Sequence, residues 1–172
     1  YLLSNVTSLY SYNSLAKAID INDKSAKEYV LYLEDSYLID ELKHYSYSLK
    51  EQNNSKKKIY SNDNGFLSLS YSFSENSGKM LENLVYTELI KDGYEVYFYN
   101  KNFECDFIAI KEGKSIAIQV CYELHDQNRK RELGGLAKLP FEADEKYIIT
   151  YNQSEMLDNT IKVVKFWEYF GI

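Results

Sequence analysis

The chain has 172 residues, 45% of them hydrophobic and 27% charged. That is one large domain, or one beside a much smaller one, with enough apolar content to build a core, and it excludes wholesale disorder. One Pro, seven Gly and two Cys exclude collagen-like, Pro-rich and disulfide-scaffold classes. No apolar run approaches the roughly 18 residues a bilayer needs, and Tyr1-Leu2-Leu3-Ser4 does not read as a secretory signal. A reduced, cytoplasmic setting with no membrane partner is expected. The absent initiator Met suggests a piece of a longer polypeptide. A net charge of −6 argues mildly against a dedicated nucleic-acid binder.

From the amino end, Asn13 or Ser14 is expected to cap a helix starting at Leu15, with Leu15, Ala16, Ala18 and Ile19 on its apolar side. Asn22 or Asp23 caps a second helix, in which Ala26, Tyr29, Val30, Leu33 and Tyr37 follow helical spacing. Residues 37–39 and 42–47 alternate like a strand. The polar stretch 50–58 then separates them from Ile59-Tyr60. Helix, turn, helix and a hairpin with a polar tip make the pattern of a winged helix, assigned to residues 1–74. His44 is expected to be solvated on the first strand of the wing.

Residues 75–172 read as a second domain. Met80, Leu81, Leu84, Val85, Leu89 and Ile90 place an amphipathic helix over 77–91, closed by Gly93. Strands are expected at 94–99, 103–110 and 115–122, then a helix over 127–138, strands at 147–151 and 161–166, and a helical turn over 166–170. The order α-β-β-β-α-β-β gives an α/β (α+β) class: a mixed sheet with a helix on each side.

Chemistry concentrates in Glu104-Cys105-Asp106-Phe107 and Gln119-Val120-Cys121. Alternation puts Glu104, Asp106 and Ile108 on one side of their strand, and Gln119 with Cys121 on one side of the next. An acid beside an amide oxygen is a half-site for Mg²⁺ or Mn²⁺. Zinc through Cys105, Cys121 and His125 lacks any close ligand pair. A nucleophilic Cys121 lacks an evident base. Gly78-Lys79 is not a Walker A motif, so no P-loop ATP site is expected in this chain.

Helix-Glu, strand-Asp and strand-(Glu/Gln)-x-Lys is the arrangement of the PD-(D/E)xK, or restriction-endonuclease-like, fold. Gly78 to Val85 with Glu88-Leu89, Gly93 to Tyr97, Glu104 to Phe107 and Ile118 to Tyr122 together resemble the DUF4143 domain found at the C-terminus of bacterial and archaeal AAA-type ATPases. Lys58 to Gly65 and the rest of the first half are similar to the winged-helix segment that precedes it. The resemblance implies an ATPase core in the same polypeptide as partner. It matches Asp106 and Gln119 to metal-binding positions and Glu82 to the helix Glu, with Glu88 as the alternative. Cys121 stands at the position of the catalytic Lys, where a neutral thiol cannot stabilise developing phosphorane charge. Gln119 supplies no negative charge.

The expected function is therefore a regulatory or binding module of an AAA-type ATPase with a degenerate nuclease-like site, possessing candidate DNA contacts at Lys24, Lys27, Lys56, Lys57 and Lys58. The alternatives are a Mg²⁺-dependent nuclease and a protein-binding adaptor with no nucleic-acid role. Residues 1–74 carry eight lysines against nine acids, so only Lys56-Lys57-Lys58 forms a local basic patch.

Overall fold

The computed structural model describes residues 1–69, 77–156 and 160–172; the boundary expected near residue 74 lies outside them. A 3-10 turn at Leu3–Asn5 leads into β1 (Leu9–Tyr10), α1 (Tyr12–Ala18), α2 (Asp23–Asp35), β2 (Ile39–Leu42), α3 (Leu49–Asn54) and β3 (Lys57–Ser61). A second 3-10 turn spans Asn64–Leu69. Then come α4 (Ser77–Lys91), β4 (Glu95–Asn100), β5 (Glu104–Lys111), β6 (Lys114–Cys121), α5 (Asp126–Ala137), β7 (Glu145–Thr150), β8 (Glu155–Met156), β9 (Lys162–Lys165) and α6 (Phe166–Phe170).

In the N-terminal half, α1 starts three residues earlier than expected. Ser11 and Ser14 close a reciprocal capping box there, which outcompetes a start at Leu15. Asn22 caps α2 through its side-chain oxygen, which accepts from the Ser25 N–H. β3 is the central strand of an antiparallel sheet ordered β1-β3-β2. The expected strand over 42–47 is not part of that sheet. The chain turns away after Leu42, and its backbone pairs with β4 instead: Tyr45 N–H donates to the Phe98 carbonyl at 2.7 Å, and Phe98 N–H to that of Lys43 at 3.1 Å. The polar tip is partly helical, since Ser48 caps α3.

The second half is a six-stranded sheet ordered β4-β5-β6-β7-β9-β8. β4, β5 and β6 are antiparallel, β6, β7 and β9 parallel, and β8 is an antiparallel edge. Glu112 and Gly113, both at positive φ, make the tight β5–β6 turn. Gly93 at φ +80° ends α4 as expected. Leu81, Val85 and Leu89 of α4 pack on one face with Phe107, Ala109 and Ile118. Leu136 of α5 packs on the other with Cys105, Ile108, Ala117 and Cys121. The mixed α/β architecture with a helix on each face is thus as expected.

β3 joins the halves because both its sides are covered. Ile59 enters the N-terminal core with Leu15, Ala26 and Val30, while Tyr60 enters the α4-side core of the large sheet. Every β3 residue is buried.

Candidate functional site

The period of β3 puts Lys58 on the side of Tyr60, facing α4 and β5. Lys58 Nζ donates to Glu82 Oε1 and to Asp106 Oδ1, each at 3.1 Å. The Tyr60 hydroxyl donates to the same Glu82 oxygen at 2.7 Å. The Val120 backbone N–H donates to Asp106 Oδ2 at 3.0 Å. The Lys58 side chain is only 4% exposed, and its ammonium also lies 5.8 Å from the Phe98 ring centre. One buried ammonium thus bridges two carboxylates carried by different elements.

The charges do not balance: one ammonium faces two acids. The shortfall falls on Glu82, whose carboxyl is pushed up to about 7 by burial and by the Asp106 charge, against the opposing pull of Lys58 and Tyr60. Burial disfavours the Lys58 ammonium, but the two carboxylates outweigh it and hold the Lys58 pKa above its ordinary value. Burial and Glu82 likewise keep the Tyr60 hydroxyl protonated.

A frame around the cluster fixes the seam. Asn83, one residue after Glu82, takes the Ser61 N–H on its side-chain oxygen at 2.7 Å. It also donates to the Ser61 carbonyl and to Asn64 Oδ1, both at 2.8 Å. Tyr60 stacks on Tyr86 with ring centres 4.4 Å apart, and the Tyr86 hydroxyl donates to Asp40 Oδ2 at 3.0 Å. Glu82 and Asn83 of α4 thereby hold β3, and Tyr86, one turn on, holds β2.

Asp106 reaches this cluster because β5 does not alternate as expected. Its register with β4 shifts between Tyr97 and Tyr99, so Asp106 and Phe107 together oppose Phe98. Such a bulge resets the side-chain period. Cys105 and Ile108 pack toward α5, Phe107 packs toward α4, and the Asp106 carboxylate meets Lys58 and Glu82. Gln119 does not join the cluster. Its Oε1 accepts from the Asp106 backbone N–H at 3.3 Å, and its side chain lines a cleft of about 270 Å³ with Arg131, Glu132 and Lys138 on the α5 side. Cys121 also lies on that side. Its thiol contacts the Glu123 carbonyl at 2.9 Å and receives the Asn128 amide at 3.3 Å, and burial pushes its pKa up. Glu88 pairs with Lys91, so Glu82 is the α4 acid that meets Asp106.

The expected basic patch is not formed. Lys57 and Lys58 are buried; Lys57 Nζ donates to the Asn53 and Ser55 carbonyls. Lys56 alone of the three is exposed, as are Lys24 and Lys27 on α2. Lys58 and Tyr60 are the cluster members that sequence reasoning missed. The available signal was the basic run continuing at period two into the strand that carries Ile59 and Tyr60.

The resemblance implied Mg²⁺ or Mn²⁺, and the donors as arranged do not fit such an ion. Both carboxylates are engaged by Lys58, Asp106 Oδ2 is held by a backbone N–H, and Gln119 faces away. Among the described residues, no three His, Cys, Asp or Glu side chains gather as a metal site. Nor is any helix among them long and apolar enough to cross a membrane.

The fold and cluster define a mixed α/β domain clamped through a buried Lys–Glu–Asp cluster to an N-terminal unit of α1, α2 and the β1-β3-β2 sheet. Comparison with known families gives it a place: residues 77–169 match the DUF4143 model, and the chain belongs to that family. Residues 1–77 match DUF8612, another domain of unknown function. An uncharacterized protein of Methanocaldococcus jannaschii is 36% identical over 188 residues, covering 98% of this chain and 41% of that protein. The chain thus spans about two fifths of that relative's length. No solved structure matches it significantly.

Proposed function

We propose that this chain is a non-hydrolytic regulatory or binding module, built on a restriction-endonuclease-like scaffold and carried C-terminal to an AAA-type ATPase core. The observation that carries the reading is the position of Lys58. An ammonium from the N-terminal unit sits between the two acids that a nuclease of this type would offer to a metal. A cation already fixed there, with hydrogen bonds to both carboxylates, competes directly with a divalent ion. The second half of the motif, Gln119 and Cys121, lies across the sheet and supplies neither a metal-binding carboxylate nor a lysine. The ATPase context draws support from the family resemblance and from the extra length of the archaeal relative. A winged-helix reading of the first half draws on the order α1, α2, β2, β3.

Nicking of supercoiled plasmid in Mn²⁺ tests the proposal, because Mn²⁺ tolerates imperfect oxygen sites. Wild type and Asp106→Ala are expected to be equally inactive, and calorimetry is expected to find no Mn²⁺ binding that Asp106→Ala removes. Nicking that disappears in Asp106→Ala would establish the hydrolase instead. DNA contact through Lys24 and Lys27 of α2 is a second reading, favoured by their exposure on the second helix of the pair. It requires duplex binding that weakens steeply with salt.

A further inference from the structure

The apolar surface of the N-terminal unit does not end at its core. The helical spacing of α2 turns Ala26, Val30 and Leu33 into that core and sets Tyr29 and Tyr32 on the flank beside them. Tyr29, Tyr32 and Ile19, the last of these at the end of α1, stay 53%, 62% and 41% exposed. Together with Leu3, Leu33 and Leu38 they bound a cleft of about 530 Å³. Leu15, Val30 and Ile39, which are almost fully buried, form the packed layer beneath it.

Two features set the chemistry of this cleft. Every lining residue is Leu, Ile, Val or Tyr, apart from Ser4, so the only polar side-chain atoms it can offer are neutral hydroxyls. An ion entering it would lose water and find no counter-charge among the lining side chains. The walls come from the amino-terminal turn, α1, α2 and the residues entering β2, so the surface is concave rather than one flat face. A volume of about 530 Å³ lies within the range of small-molecule sites, which are mostly apolar.

We propose that this cleft binds one uncharged small molecule with an apolar body, whose polar end is a hydroxyl or a carbonyl. Tyrosine and serine hydroxyls can donate to such an end, and can accept from a hydroxyl. The flat apolar face of a protein partner would touch the rim tyrosines and leave the hollow unfilled, forfeiting contacts that an entering molecule makes. Neither the ATPase reading nor the state of the Lys58 cluster enters this inference, since the cleft shares no residue with that cluster.

The test is thermal unfolding of the whole chain titrated with 1-decanol, with methyl NMR of Leu33 and Leu38. Decanol is expected to raise Tm saturably, and the two leucine signals should follow the same isotherm. Ionised decanoate should bind about tenfold more weakly or worse, because its carboxylate meets no cation among the lining residues. Ile19→Glu and Tyr32→Glu, both at exposed positions, should keep the unliganded Tm near that of wild type. Each should lose about tenfold or more in decanol affinity, and the second variant keeps the test sound if the first folds poorly. No saturable response, unmoved leucine signals, decanoate bound as tightly as decanol, or wild-type affinity in both variants would each overturn the site. So would a chain that ignores decanol, dimerises in sedimentation and becomes monomeric in Ile19→Glu, which would make the cleft a contact between copies.

Discussion

The two faces of the six-stranded sheet handle their polar groups in opposite ways. On the α4 face, Asp106 and Glu82 are drawn together and closed off by Lys58 and Tyr60 from the other half of the chain. On the α5 face, Gln119 opens into a cleft and Cys121 sits among Leu124 and Leu136 with ordinary thiol contacts. A linear motif that reads as one site is thus divided by the sheet. The lesson is that strand spacing assigns residues to a common site only while the alternation is unbroken, and one bulge at Asp106-Phe107 breaks it.

The largest expected effect comes from removing the cation on the closed face. Lys58→Met leaves two buried acids without a counter-ion, held only by the Tyr60 hydroxyl and the Val120 N–H, and should destabilise the fold by about 3–5 kcal/mol at pH 7, read by urea unfolding. Adding Glu82→Gln to that variant should recover part of the loss, since one of the stranded charges is gone. If Lys58→Met costs little, the bridge is not what closes this face.

Next in size is a pH effect. Glu82 has its carboxyl pushed up to about 7 from an ordinary value of 4.5, so the folded chain holds this proton to higher pH than the unfolded chain does. The sign follows: the group's contribution to stability falls as pH rises from about 4.5 to about 7, then levels off, by roughly 3 kcal/mol in all. Glu82→Gln should flatten stability across that window, and a slope unchanged in the variant would assign it to other groups.

Asn83→Ala sharpens the comparison at the seam rather than at the cluster. It leaves the buried Ser61 N–H and carbonyl unpaired and should cost about 2 kcal/mol by denaturant unfolding. The α5 face is expected to be far more tolerant. Cys121→Ala should cost only about 1 kcal/mol through lost apolar contact, with no change in Mn²⁺ response. A large loss there would mean that the two faces are more alike in their energetics than their contacts imply.

Much of the secondary structure was legible because its signals are local. The α4 periodicity and its Gly93 stop, the Glu112-Gly113 turn and the strand alternation of β6 depend on neighbours in sequence. The start of α1 was not, since Ser14, expected beside Asn13 as the cap, instead serves as the third helical residue of a box capped by Ser11. Residues 43–45 read as a continuation of the hairpin because their alternation is strand-like. They do pair as extended chain, but with β4, some fifty residues away. His44 therefore exchanged an expected solvated position for a buried one.

The sequence by itself determined which residues could carry charge and chemistry in each half: Glu82, Asp106, Gln119, Cys121 and the lysines of the 56–58 run. Only the tertiary structure decided that Lys58, and not a residue near position 121, meets the acidic pair, and that Gln119 turns away from it. The physical reason is that a helix or turn is specified by interactions within a few residues, whereas a buried ion cluster is specified by desolvation. Once Asp106 and Glu82 leave water, a cation must accompany them, and packing β3 against α4 supplies the one at Lys58.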